Sequence, residues 1–275
     1  MADQIKLRMP NASRGGIVTE AIFNLFVDYL RPGSLVTAEQ AAINITRLPS
    51  QLEKTLDDGF LFELWDGIFG IAEQISQDHI AQDKVVKVVK ELMMLPDTGD
   101  AVWGSHLWTG LPVLGAALRE RLNRRPQSDE SDAENEAWIR FHAFSAKLMG
   151  AGVVSSSTHA IWMLREGLEE QNPPKSKALD RGLLTAAMYI EFAGPILVEA
   201  LAANPDPAIS DEKRRMLRGG SLFKGEPGLG LKRWSFWTER FIEEAEKTGS
   251  KDAKERALRA ARLMIIWTET RLQQK

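Results

Sequence analysis

Four side chains have the types and spacing for proton chemistry: His79, Asp83, His106 and Glu191. His79 and Asp83 stand four residues apart, one helical turn, the separation at which a carboxylate can orient an imidazole as a general base. The structural alternative puts Asp78 and His79 in the turn ahead of a helix, with Asp78 as its cap. Glu191 lies in "AAMYIEFAGPIL", where burial would raise the carboxyl pKa and make the group a proton donor at neutral pH. Pro195, four residues on, has no amide hydrogen for carbonyl 191, so a helix that continues there kinks and leaves that carbonyl open. The alternative is that Glu191 points to the wet side while Pro195 bends the helix around a core.

His106 sits in "GDAVWGSHLWTGLP", residues 99–112, between Trp103 and Trp108. Two tryptophans in a glycine-bounded segment either line a site or hold the segment down. The chain has eight tryptophans. Trp65, Trp103, Trp108, Trp162, Tyr189 and Trp234 are the candidate walls of a site for a small apolar metabolite, bound by shape and aromatic contact. Against this, pairs at helical spacing such as Trp234 and Trp237 are usually core, with Arg233 and Arg240 placed to add cation–π contacts.

Several chemistries are excluded or unsupported. With no cysteine there is no thiol nucleophile, thiolate metal site or disulfide. The four histidines, His79, His106, His142 and His159, fall in four segments without a ligand pair such as HExxH, so no metal is expected. "GEPGLGLK" follows no strand and lacks the GK[ST] of a phosphate loop, and no Gly-x-Ser-x-Gly occurs; no cofactor is expected. Asp57-Asp58 lacks the third aspartate of a magnesium–diphosphate cluster.

These residues must be held by helices, because three- and four-residue apolar spacing dominates the chain. Gly16 to Leu30 is one such stretch, stopped by Arg31-Pro32-Gly33. Thr37 with Gln40 reads as a capping box for a short helix through Arg47, stopped by Pro49. Asp57 to Ser76 and Gln77 to Leu95 follow, then the periodicity lapses from Pro96 to Leu111. Helical patterns resume over Pro112 to Leu122, Asn135 to Met149, Thr158 to Glu170, Ser176 to Ala203, Ser210 to Arg218, Leu231 to Lys247 and Lys251 to Gln274. "NRRPQSDESDAENE" is a polar link between two of them. No strand, βαβ alternation or fixed repeat is evident. The expectation is an all-α protein of roughly ten helices.

At 275 residues, one large domain over 16–275 is the first expectation and two packed halves the second, with residues 1–15 as a flexible arm. A net charge of −3 gives no phosphate-neutralising footprint, so nucleic acid is not an expected partner. The opening residues lack the apolar core of a secretory signal, which makes the cytoplasm the expected compartment. Leu183 to Ala203 is apolar but carries Glu191 and Glu199. A charge at a helix centre in lipid costs about 3 kcal/mol, so a buried core helix is expected there and not a membrane span.

"LWDGIFGIAEQISQDHIAQDKVVKVVKELMMLP", "WGSHLWTGLPVLGAALRE", "AWIRFHAFSAKLMGAG", "AIWMLREGLE" and "LKRWSFWTERF", in that order, resemble a family of fungal proteins classified only as a domain of unknown function. The likeness runs from about residue 55 to 270. It implies an all-α intracellular protein, with some relatives encoded beside secondary-metabolite genes, and it carries over no catalytic residue. The leading expectation is a cofactor-independent cyclase or isomerase acting on a small apolar metabolite, with Glu191, His79 or His106 moving the proton. The alternatives are a non-catalytic protein–protein interaction domain and a ligand carrier; a homo-oligomer is compatible with each.

Overall fold

A computed structural model describes residues 5–10, 16–126, 131–155, 157–204 and 208–272. The protein is all-α, and among these residues it has eleven α-helices and a single two-stranded hairpin. Its contacts divide it into two compact units. The first comprises 1–126 with 136–145, and the second 127–135 with 146–275.

The first unit holds α1 (Ile17–Leu30), α2 (Ala38–Gln51), α3 (Asp58–Ala72), α4 (Ile80–Met94) and α5 (Leu114–Leu122), with the middle of α6 (Asp132–Gly150). Short polar side chains start several of these helices: Thr37 accepts from the Gln40 amide (3.0 Å) and Asp57 from that of Phe60 (2.9 Å). The heart of the unit is α3, whose Phe60, Leu61, Leu64, Trp65, Ile68, Phe69 and Ile71 are all buried. Phe69 meets Phe141 and Phe144 of α6 at 5.2 and 6.3 Å between ring centroids. Helix α2 runs through Pro49 to Gln51 instead of stopping there. Pro49 gives up the amide bond to the Ile45 carbonyl, and burial of its ring offsets that loss.

Within the expected arm, residues 5–10 lie against this unit. Gln74 accepts from the Arg8 amide (2.7 Å) and donates to the Arg8 carbonyl (2.9 Å). Residues 1–4 and 11–15 of the arm, and 127–130 of the polar link, lie outside the described residues.

The second unit is organised by α8 (Lys177–Ala203), which packs against α7 (Thr158–Leu168) and α11 (Lys251–Trp267). By length and composition α8 could cross a membrane; here its apolar residues are covered by α7 and α11. It remains helical through Pro195. Buried Ala193, Leu197 and Val198 on either side offset the roughly 3 kcal/mol that an interior proline costs. Helices α7 and α8 cross at Gly167 and Gly182, where an added Cβ on Gly167 would stand 2.4 Å from the Gly182 carbonyl oxygen. The unit is completed by α9 (Asp211–Met216) and α10 (Leu231–Ala245), and α11 runs on into a π-helical turn, Thr268–Leu272.

Candidate functional site

The segment between α4 and α5 contains strands, contrary to the expectation of none. β1 (Ala101–Val102) and β2 (Ser105–His106) pair antiparallel around a two-residue turn, Trp103-Gly104. Strands of two residues are too short to leave an alternating pattern, and so the sequence hides them. Both turn residues have positive φ, 53° at Trp103 and 73° at Gly104, which matches the right-handed twist of a tight hairpin. Glycine adopts this freely; tryptophan does so at a cost of about 1–2 kcal/mol.

The strain continues along the segment. Trp108, Leu111 and Val113 also have positive φ, 64°, 42° and 68°, so four non-glycine residues within eleven take a conformation that side chains disfavour. Burial of Leu107, Trp108, Leu111 and Val113 holds them there. At roughly 1.5–3 kcal/mol per buried large apolar side chain, packing outweighs the strain. Trp65 of α3 secures the far end by donating its indole N–H to the Pro112 carbonyl (3.2 Å).

Anchoring leaves the hairpin tip rigid and outward. Trp103 is 60% exposed, yet its ring is fixed from two sides. Its Nε1–H donates to Asp58 Oδ2 (3.3 Å), and its ring meets Phe62 edge to face at 5.8 Å. Asp58 and Phe62 are one turn apart on α3, so the helix core positions the tip directly. At the base, His106 Nδ1 pairs with Asp97 Oδ2 at 2.9 Å, both side chains exposed. The Asp97 carboxyl is held below the usual carboxylate range, first by the Gly99 amide and then by His106.

Beneath Phe62 lies a cleft lined by Phe62, Asp66, Phe69 and Arg121, with about 10 Å³ of free space. That is the room of one water molecule, too little for a metabolite. Arg121 reaches Asp66 at 3.0 Å and clamps Glu73 with Nε (2.6 Å) and Nη2. Burial opposes its charge, but Glu73 and Asp66 outweigh burial and raise its pKa above the usual arginine value.

The other sequence candidates have separate surroundings. His79 is itself the N-cap of α4 in place of Asp78, its Nδ1 accepting from the Ala81 amide at 3.1 Å. The lone pair a general base would use is thereby engaged. Asp83 is exposed in the first turn of α4. Glu191 belongs to the second unit, where Arg256 Nη1 stands 3.0 Å from its Oε2, and Arg256 also bonds Asp252 (3.0 Å). Trp65, Trp108, Tyr189 and Trp234 are buried. The Trp234 indole N–H donates to Thr268 Oγ1 (3.2 Å), and that of Trp162, at the surface, to the Met216 carbonyl (3.1 Å). No group of three or more His, Asp or Glu fit to hold a metal occurs among the described residues.

One constellation escapes sequence reading altogether. Glu169 and Arg233, 64 residues apart, form a fully buried ion pair: Nε to Oε1 at 2.6 Å and Nη2 to Oε2 at 3.0 Å. The carboxylate also accepts from the Trp237 indole N–H (2.6 Å) and the Gly220 amide (2.6 Å), while Arg233 donates to the carbonyls of Leu217 and Gly228. Arg233 also faces the rings of Trp237 and Phe223, at 5.2 and 5.4 Å. Every charged oxygen is met, so this pair ties the glycine-rich loop 217–230 to α7 and α10. Its role is architectural.

Fold and site together define an all-α protein of two helical units, the first presenting a strained, tryptophan-tipped hairpin. The chain belongs to the DUF3632 family, described as a protein of unknown function, whose model matches residues 65–241. No curated protein and no solved structure matches the chain.

Proposed function

We propose that the protein is a non-catalytic protein–protein interaction domain of the cytoplasm, in which Trp103 is the residue a partner protein grips. The supporting observation is a largely exposed tryptophan held in one orientation by its turn, by Asp58 and by Phe62. Tryptophan is the residue most enriched at the energetic centres of interfaces. A ring already fixed loses little rotamer freedom on binding, so more of its contact energy appears as affinity.

The competing reading, a cyclase or isomerase of small apolar metabolites in fungal secondary metabolism, draws less support from these positions. His79 caps a helix, His106 pairs with Asp97 in solvent, and Glu191 pairs with Arg256. That reading needs a proton-transfer group on the wall of an apolar cavity, and none of the three has such surroundings.

The test compares proteins retained from cell extract by the immobilised wild type, by Trp103→Ala and by Met94→Ala, a control at another exposed apolar side chain. Truncating an interface anchor costs about 2 kcal/mol or more, roughly thirtyfold in affinity. A partner retained by wild type and by Met94→Ala, and lost with Trp103→Ala, is the expected result. An identical set of retained proteins for all three contradicts the proposal.

A further inference from the structure

In the second unit, α10 and α11 run antiparallel: Trp234 bonds Thr268, and Thr238 Oγ1 lies 3.8 Å from Met264 Sδ. Along the outer seam of the pair lies an open groove of about 330 Å³, lined by Ser235, Thr238, Glu239 and Ile242 of α10 with Ile265, Thr268 and Glu269 opposite. Three isoleucines here face solvent, Ile242 at 45%, Ile265 at 39% and Ile266 at 51% exposure. Single exposed apolar residues are ordinary; two in one groove, Ile242 and Ile265, with Ile266 next along α11, form a patch.

The charges beside the patch are arranged by sign. α11 carries Arg262 N-terminal to Ile265–Ile266, and the π-helical turn that follows carries Glu269 C-terminal to them. Arg262 lies about 5 Å along the axis from the midpoint of the isoleucines, and Glu269 lines the groove together with Ile265. Among the described residues neither Arg262 nor Glu269 forms an ion pair, nor does Glu239 at the groove wall. Several charged side chains on or beside the same two helices are paired, as Arg240 is with Glu243 and Lys254 with Glu246.

We infer that this seam is a homodimer interface, with a second copy of the chain as its occupant. A two-fold axis through Ile265–Ile266 sets the two α11 helices antiparallel. It stacks isoleucine on isoleucine, with Ile266 of each copy beside the groove of the other. The same operation places Arg262 of each copy opposite Glu269 of the other, so both unpaired charges are matched twice. An isologous contact must be self-complementary in this way, and a basic–apolar–acidic stripe meets that requirement only when two copies run antiparallel. The seam lies in the second unit and is independent of the Trp103 reading, so Trp103→Ala should associate like the wild type.

The experiment is sedimentation velocity of the full chain from 1 to about 200 µM, with circular dichroism to check folding. The wild type should pass from monomer to dimer over that range. Arg262→Glu and Glu269→Arg, each alone, set like charges opposite one another and should each weaken the dimer tenfold or more. An equimolar mixture of the two variants should dimerise again, because each supplies the charge the other lacks. All these positions are exposed, so the variants should fold. A wild type still monomeric at the top concentration overturns the inference and leaves the seam to another partner; so does a mixture no more associated than the separate variants.

Discussion

Replacing Glu169 by Gln is the sharpest structural perturbation available, because it removes one charge and almost no volume. Glu169 and Arg233 are both essentially inaccessible to solvent, so the change leaves a buried guanidinium uncompensated. Four donors converge on the carboxylate, from Arg233 Nε and Nη2, Trp237 Nε1 and the Gly220 amide. A glutamine has one acceptor oxygen, and it turns an NH₂ group toward the other donors, so at least one donor is left facing another. Breaking one side of a buried ion pair costs about 3–5 kcal/mol, a large part of the 5–15 kcal/mol that separates a typical folded domain from its unfolded chain. In urea, with a slope of about 1–3 kcal/mol/M, the midpoint should fall by 1 M or more. Tryptophan fluorescence, to which Trp234 and Trp237 contribute from within the unit, reports the transition together with circular dichroism. The Glu169→Gln/Arg233→Met double variant should recover part of the loss, since no buried charge is then unpaired. Recovery stays partial because the Leu217 and Gly228 carbonyls lose their donor. A single variant within about 1 kcal/mol of wild type, or losses that simply add in the double variant, would refute the view of this pair as the clasp of loop 217–230.

Two further outcomes follow from the geometry. Gly150→Ala should destabilise the second unit by about 1–3 kcal/mol, because its Cβ would stand 1.9 Å from the Phe192 carbonyl oxygen; a thermal midpoint unchanged from wild type would contradict that contact. The Asp97 carboxyl is depressed by the Gly99 amide and His106, so its contribution to the hairpin is present above the unfolded aspartate value of about 3.9 and is lost as pH falls through the lower folded value. The Gly99 amide resonance should therefore titrate below the ordinary aspartate midpoint, and Asp97→Asn should abolish that titration; a midpoint at or above the ordinary value contradicts the bond.

The helices were legible because burial imposes a 3.6-residue period over ten or more residues, and the polar starts at Thr37, Asp57, Ser176 and Ser250 mark where several begin. One proline misled. Pro49 read as a stop, yet it sits inside α2, because its burial outweighs the bond it removes; Pro195 sits inside α8, within the single helix that Ser176 to Ala203 suggested. The hairpin left no pattern, its strands being two residues long. The ion pairs were also hidden, since Glu169 and Arg233, or Glu191 and Arg256, become neighbours only through the crossing of distant helices. At the candidate site, the tryptophans of 99–112 marked a special segment, but their division of labour was not readable. Trp108 anchors and Trp103 is presented, a difference of burial set by the tertiary packing of the segment, since both have left-handed backbone angles.

The proposed role of Trp103 at a partner interface is tested most directly by the binding of the Trp103→Ala variant. With a retained partner in hand, titration should show affinity lower by roughly thirtyfold or more and unchanged thermal stability. Equal affinity for the variant and the wild type would contradict the account.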